Sequence, residues 1–410
     1  MPPENLIEFL RQCGVALCLA GETANRIPDE LVAIADAYGV DDVEFLVVPT
    51  GVFVRSRDGG GGVVVDFANA DGPPLRLDQV DQLYKLFEQV KAEPIPPVEG
   101  IARVQDILDA PPRFGSLVPV LGHGVLTVGI GLLFVRDGRA LLSLAVLGLL
   151  VGVLRLLAER VQVLSLALPV AAAMLVTVLA YRYSPELGAD PASLLIPPLA
   201  TFLPGAALTL GAQEMVTRSI ISGASRLVSS VYVLLLLTFG IYAGMQLAGP
   251  AQAAPVPEDL GPWSPWVGVL VFGVGIYLNS AAPPRSLPWL LITLFIAYGA
   301  QFLAGRWTGG VFAAFVGGLL IVPLANAVQR LGGPPAQVVF LPSFWLLVPG
   351  ALSLVGLSGL TGLVELSGTG RSNLITAFLT VVAVSLGVLV GSSLLSNVTA
   401  GSRLLTSRSA

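Results

Sequence analysis

Over roughly the first hundred residues the apolar positions recur at helical spacing. Leu6, Leu10, Cys13, Leu17 and Ala20 fall four and three residues apart, which predicts an amphipathic helix ending near Gly21. "ETANRIPDEL" opens a second helix, with Pro28 in its first turn and a stop at Gly39. The pattern then turns β-rich in "VEFLVVPTGVFVRS" and again in "VVVDFA", with "RDGGGG" between them, a hairpin signature. Those four glycines precede neither a Lys-Ser/Thr pair nor a helix start, so they read as a hairpin tip rather than a phosphate loop. Two further helices follow, Leu77–Lys91 with Asp78 as its N-cap and Val98–Leu108. The predicted order is ααββαα, a small α+β domain over residues 1–114.

Beyond residue 115 the periodicity gives way to long apolar runs. About 20 apolar residues cross a bilayer, and the chain offers ten such segments: 117–135, 140–157, 161–181, 192–212, 227–248, 263–282, 287–304, 307–325, 337–357 and 373–395. Two of them are interrupted by a Pro-Gly pair, "FLPGAALTL" at 202–210 and "LVPGALSLV" at 347–355. Proline lacks the amide donor and collides with the preceding turn, and glycine adds a further helix cost. The fourth and ninth spans are therefore expected to be discontinuous.

The two interruptions are related. At an offset of 145 residues, 197–226 aligns on 342–371 with eight identities: Pro197/Pro342, Pro204/Pro349, Gly205/Gly350, Ala206/Ala351, Gly211/Gly356, Ser222/Ser367, Gly223/Gly368 and Arg226/Arg371. Chance matching of apolar segments yields Leu and Val, whereas these identities are mostly Pro, Gly and Arg. Each half, 115–250 and 251–410, then holds five spans. Five is odd, so the second half enters the membrane from the opposite side, giving an inverted repeat. The expected fold is a membrane all-α bundle of about ten helices in a 5+5 arrangement, preceded by the small α+β domain.

Composition and charge sharpen this picture. The 410 residues are 54% hydrophobic and 12% charged, against roughly 25% charged in soluble domains. Residues 1–114 carry 9 Lys+Arg and 19 Asp+Glu, and the remainder 13 Arg, no Lys and 8 acids. An acidic front without a basic stripe argues against nucleic-acid binding. With the front domain inside, ten arginines fall on the cytoplasmic side and five (Arg136, Arg139, Arg182, Arg306, Arg371) outside, which favours cytoplasmic N- and C-termini. The loop "GPAQAAPVPEDLGP" at 249–262 has no positive charge and suits the outside. "MPPENLIEFLRQ" lacks a basic stretch followed by an apolar run, so no cleavable signal peptide is expected.

Candidate chemistry is sparse. Cys13 and Cys18, the two cysteines, lie five residues apart, do not share a helix face, and read as small buried residues rather than a disulfide or metal pair. No metal site or cofactor is expected. A helix broken at mid-membrane exposes amides and carbonyls that lipid cannot satisfy. The half-helix N-termini near Gly205 and Gly350 would offer amide donors and a partial positive charge to an anionic group such as an amino acid's carboxylate. Pro204, Gly205, Pro349, Gly350, Arg226 and Arg371 are the substrate-binding candidates; the bland alternatives are a packing kink for the breaks and snorkelling for the arginines.

Glu214 and His123 are the proton-coupling candidates. A carboxylate at membrane depth is costly and usually functional; otherwise Glu214 pairs with Arg218 one turn on, or with Arg226. His123, the single histidine, lies in "LGHGV" of the first span, where a relay and a plain intrabundle hydrogen bond are both open. Glu365 reads as an external loop residue; Asn279, Gln301 and Asn326 line a cavity or join helices.

The front pattern "GVALCLAGETANRIPDELVAIADAYGV…VEFLVVPTGVFV", the "L-x-P-G" fourth span followed by an acid and S-G, and the second "LVPGALS" resemble the bacterial threonine/serine exporter family in its fused two-domain form. The resemblance covers nearly the whole chain. It implies proton-motive-force-driven export of threonine and serine across the inner membrane, and places Pro204, Gly205, Ser222, Gly223, Pro349 and Gly350 on its motifs. Glu214 stands where that family typically has Asp. Some split members of the family are linked instead to dicarboxylates such as succinate, and a gated small-solute channel is a third reading. An enzyme is not expected, because one histidine cannot build most catalytic sets. The sequence sets no oligomeric state, and a homo-oligomer is compatible with it.

Overall fold

The computed structural model describes residues 4–57, 63–135, 138–250, 259–347 and 370–406. It divides into two compact units, residues 1–113 with 210–228, and residues 114–209 with 229–410.

The front unit contains α1 (Glu4–Leu19), α2 (Arg26–Ala37), β1 (Val43–Val48), β2 (Gly51–Arg57), β3 (Val63–Asn69), α3 (Leu77–Ala92) and α4 (Pro97–Leu108). The helical spacing read from the sequence translates directly into burial: Leu6, Leu10, Cys13 and Leu17 of α1 meet Leu31 and Ile34 of α2, Val52 and Val54 of β2, and Leu83 and Phe87 of α3. Gly21 (φ 77°) and Gly39 (φ 70°) follow the ends of α1 and α2 in the left-handed conformation that closes a helix without strain only for glycine.

Two expectations are corrected here. The run "VEFLVVPTGVFVRS" is two strands, because Pro49 and Thr50 form a tight turn that pairs Val48 with Gly51. The sheet is an antiparallel meander, β1-β2-β3, and the order is ααβββαα. Asp78 is not the N-cap of α3; Arg76 is, with its backbone amide donating to the Gln79 side chain at 3.0 Å. Asp78 lies inside the first turn, and its carboxylate accepts from the Arg76 guanidinium at 3.1 Å.

The second unit is helical: α5 (Leu117–Ile130) with a π-helical turn (Gly131–Val135), α6 (Ala140–Ala158), α7 (Gln162–Arg182), the short α8 (Ser184–Leu187), α9 (Pro191–Leu199), α12 (Ser264–Asn279), α13 (Leu287–Gly305), α14 (Gly310–Arg330), α15 (Ala336–Leu347) and α16 (Gly370–Thr406). The chain passes between the units within α10 (Gly205–Val216) and within α11 (Ile220–Ala248). Among the described residues six helices are long and apolar enough to cross a membrane, and α9 with α10, bent by 56°, would make a seventh. Three further apolar helices, Ala167–Arg182, Ser264–Asn279 and Ala336–Leu347, are shorter than a full span. The sixth predicted span, 263–282, ends at Asn279 because Ala281 turns to φ 49° ahead of Pro283 and Pro284. The ninth is described only to Leu347; Pro349, Gly350 and most of the second repeat window lie outside the described residues.

Glycines set the closest helix contacts. α5 and α12 run antiparallel, and a Cβ added at Gly129 would stand 2.4 Å from the Phe272 amide nitrogen, one at Gly275 2.4 Å from that of Leu126. α11 lays two glycines on α7: a Cβ added at Gly240 would stand 2.6 Å from the Val170 carbonyl oxygen, and one at Gly244 2.9 Å from that of Met174. α16 does the same to α14: a Cβ added at Gly387 would stand 2.3 Å from the Phe315 carbonyl oxygen, and one at Gly391 2.3 Å from that of Leu319. Small residues allow helix backbones to approach this closely, the usual solution where lipid supplies no hydrophobic drive for association.

Candidate functional site

The break in the fourth span follows from its sequence. Pro204 drives the preceding residue out of the helical region, and Leu203 adopts φ −68°, ψ 123°, after a 3-10 turn over Ala200–Phe202. α10 then restarts at Gly205. A cavity of about 320 Å³ opens around this point, lined by residues 200–207 together with Leu126, Ile130, Leu133 and Phe134, Ile196, Val233, Phe272, Trp345 and Leu346. The first amides of a helix have no acceptor within it, so Gly205, Ala206 and Ala207 bring the positive end of α10 to an otherwise largely apolar chamber. Among the described residues, Thr201 contributes the one side-chain hydroxyl of the lining.

His123 supports that hydroxyl. It is fully buried, its Nδ1 lies 2.8 Å from the Gly148 carbonyl oxygen and its Nε2 lies 3.1 Å from Thr201 Oγ1. A carbonyl only accepts, so in the neutral ring Nδ1 carries the proton and Nε2 accepts from the Thr201 hydroxyl. His123 thus ties α5 to α6 and to the turn at the break.

A second cluster lies wholly in the front unit, where the hairpin formed by the end of α10 and the start of α11 packs on the α+β elements. The helices cross at two glycines: a Cβ at Gly211 would meet the Gly223 carbonyl at 3.0 Å, and one at Gly223 would meet that of Gly211 at 2.7 Å. Arg218 makes the tight turn at φ 67°. Glu214 is 0% exposed. Its partner is Arg226, whose Nε donates to both carboxylate oxygens at 3.1 and 3.0 Å, and not Arg218. Oε1 also accepts from the backbone amide of Ala24 at 2.9 Å, and Arg226 Nη2 donates to the carbonyl of Glu22 at 3.1 Å.

The turn that makes these contacts is itself braced. The Glu22 carboxylate accepts from the Thr23 amide at 3.0 Å and from the Tyr84 hydroxyl at 2.7 Å. Ser222 adds a hydroxyl donated to the Val47 carbonyl at 3.4 Å. Cys18 senses the charges of both Glu214 and Arg226. Burial pushes its thiol up to about 11, the guanidinium pulling down and the carboxylate up. Burial raises the Cys13 thiol as well, and both cysteines are free.

The candidates therefore separate. Pro204 and Gly205 line the cavity, and His123 stands behind it. Arg226 does not line it and is committed to Glu214. Arg371 falls at the start of α16, its side chain outside the described residues together with Pro349, Gly350 and Glu365. Asn279 accepts from Arg155 Nη1 at 3.3 Å, and Asn326 donates to Val322 of its own helix. Sequence reasoning missed Thr201, Glu22, Ala24 and Tyr84. "GETAN" at 21–25 was legible as a helix boundary, but nothing local points from it to a residue 190 positions away.

A set of apolar helices, one of them broken at a cavity, together with an α+β unit that includes the hairpin after the break, defines a multi-pass membrane protein. The family of the putative threonine/serine exporter matches residues 8–248, and the chain belongs to that family. Among similar proteins, an uncharacterised protein of Schizosaccharomyces pombe is 23% identical over 87% of this chain and 49% of its own length. The pheromone-regulated membrane protein 10 of Candida albicans is 23% identical over 93% of this chain and 37% of its own. Its Saccharomyces cerevisiae namesake is 23% identical over 93% and 52%. The chain thus spans about half or less of the length of these relatives. No solved structure matches it.

Proposed function

We propose that this protein is a secondary exporter of small amino acids, threonine and serine, working by alternating access and proton exchange in a bacterial inner membrane with both termini cytoplasmic. The observation that carries this reading is the broken fourth span, whose restart at Gly205 turns helix amides into a cavity of about 320 Å³. That geometry suits a small solute with one carboxylate: the helix end meets the charge, Thr201 can meet a hydroxyl or ammonium group, and the apolar walls exclude competing water. Among the described residues that line this cavity there is no basic side chain, which favours one carboxylate over a dicarboxylate.

The 5+5 inverted repeat with discontinuous fourth and ninth helices belongs to the same proposal, and packing supports it. Val170 and Met174 of α7, and Phe315 and Leu319 of α14, are related by the offset of 145 seen in the sequence, and each pair receives two glycines spaced by four from the helix that follows two spans later. Trp345 and Leu346 line the cavity together with Ala200 and Thr201, again 145 apart.

Flux into proteoliposomes of threonine, serine, alanine and succinate, with and without a pH gradient, tests the reading. Gradient-dependent movement of threonine and serine is expected; its absence for every amino acid would overturn it, and movement of succinate alone would replace the substrate. Gly205→Leu, which fills the chamber at the helix start, should abolish transport with membrane insertion intact.

A further inference from the structure

We propose that Glu214 is a positioning residue: a latch by which the 21–25 turn of the front unit holds α10, the helix whose other end forms the break. The carboxylate is fully buried and all its contacts are specific. It accepts from the Ala24 amide at 2.9 Å and from Arg226 Nε at 3.1 and 3.0 Å, while Arg226 Nη2 reaches the Glu22 carbonyl at 3.1 Å. A buried ion pair alone is weak grounds for stability, because desolvation consumes most of the Coulombic gain. Here a third element closes the pair, since the turn supplies one donor to the acid and one acceptor to the base. Without the turn, Glu214 and Arg226 would each lose a partner in a dry setting, so docking and the ion pair depend on each other.

The latch also has a brace and a grip on the hairpin. Tyr84 OH holds Glu22 Oε2 at 2.7 Å, fixing the turn from α3. The Gly211–Gly223 crossing keeps α10 and α11 locked together, so a force on Glu214 moves both helices. Glu214 is nine residues after Gly205 on one continuous helix. Undocking the turn therefore frees the helix that carries the half-helix N-terminus, whereas docking holds it. The 21–25 turn thereby holds the C-terminal end of α10, the part of that helix that belongs to the front unit. The group class it recognises is an anionic carboxylate backed by a guanidinium, presented on a helical hairpin of the same chain.

The effect on transport rests on the exporter reading; the latch itself does not, so two readouts are taken on the full-length protein in nanodiscs and proteoliposomes. The first is maleimide labelling of Cys18, which senses both charges of the ion pair and is half-buried, located against Cys13 by mass spectrometry, together with deuterium exchange over residues 21–25. The second is the transport Vmax and KM. Glu214→Gln should speed Cys18 labelling and Ala24 exchange about tenfold, the loss expected when charge-assisted bonds become neutral ones. Vmax should change several-fold with KM little altered, and Glu214→Asp should recover part of the wild-type Vmax.

Tyr84→Phe, which leaves Glu214 untouched and loosens only the brace, should give a rise of about twofold in labelling. Unchanged labelling and exchange in both Glu214→Gln and Tyr84→Phe would overturn the latch. Faster labelling with unaltered Vmax would overturn the positioning role. A wild-type protein that labels as expected but moves no solute would remove the exporter reading and leave the latch standing.

Discussion

The two units differ in what they leave outside: both bury apolar side chains, but the second also turns large apolar ones outward along its helices. In the front unit α1 turns Leu6, Phe9, Leu10 and Leu17 inward, all at 0% exposure, and its neighbours complete an apolar core. In the membrane unit Leu117 of α5 and Leu142 of α6 face outward at 70% and 76% exposure, while His123, Thr127, Ser264 and several glycines are inside. Water drives the first arrangement by expelling apolar surface. Lipid offers no such drive, so the second is held by backbone approach and by hydrogen bonds across helices, such as Ser264 Oγ to the Leu132 carbonyl at 2.7 Å. Helices of similar length therefore fail for different reasons in the two regions.

The largest effect should come from the glycine contacts of α5 and α12. Gly129→Leu or Gly275→Leu places side-chain carbon against backbone nitrogen at 2.4 Å, where nothing flexible can yield. We expect loss of the monodisperse peak in fluorescence-detected size exclusion, with Gly309→Ala, which meets nothing within 4 Å, behaving as wild type. In the front unit Gly100→Ala also intrudes, at 2.6 Å from the Phe9 ring, but a ring can shift. There the cost should be about 1–3 kcal/mol, the range for overpacking. Equal tolerance of the α5–α12 and Gly100 changes would break the distinction.

Next comes the front core itself. Phe9→Ala deletes a fully buried ring that packs against Gly100 and Tyr38, and should cost about 3–5 kcal/mol. Deuterium exchange of α1 amides in the full-length protein measures it, with the α5–α12 amides unchanged. Matching loss of protection in both units would mean they do not open separately.

This contrast also explains what could be read in advance. The period of Leu6, Leu10, Cys13 and Leu17 fixed α1 because an amphipathic face is a local code, and the membrane runs at 117–135 and 287–304 became helices Leu117–Val135 and Leu287–Gly305. The tight turn at Pro49–Thr50 was obscured by apolar residues on both sides, so two strands looked like one. Pro204 and Gly205 disclosed the break, since their effect on a helix is intrinsic. The partner of Glu214 was not decidable from spacing: Arg218 sits at the right distance for a helix, but the chain turns at that residue and the helix ends before it. Contacts from Ala24 and Glu22 join residues separated by 190 and 204 positions, and no local pattern encodes them.

A third test exchanges the outward-facing residues. Leu142→Arg puts a guanidinium on a helix face that reads as lipid-exposed, which insertion scales price at about 2.5–3.5 kcal/mol near the centre of a span and less toward its end. Val98→Arg, at 60% exposure on α4, should change stability by no more than about 0.5 kcal/mol. Thermal denaturation monitored by aggregation separates the two. An equal shift for both would mean that α6 does not present Leu142 to lipid.

The smallest effect concerns Cys18, a titratable group of the front core that senses both charges of the latch. Cys18 is raised from 9.0 to about 11 by burial. A group raised on folding lends its stability in full below the unfolded value and loses it as pH climbs through the folded one, so this contribution is present at pH 8 and gone above about pH 11. The labelling rate follows the thiolate. Cys18 alkylation should keep climbing about tenfold per pH unit between pH 8 and 10, where an exposed cysteine levels off beyond 9.0. A plateau at that lower pH would mean that the thiol is solvated, and that the front unit's dry interior stops short of the Glu214–Arg226 pair.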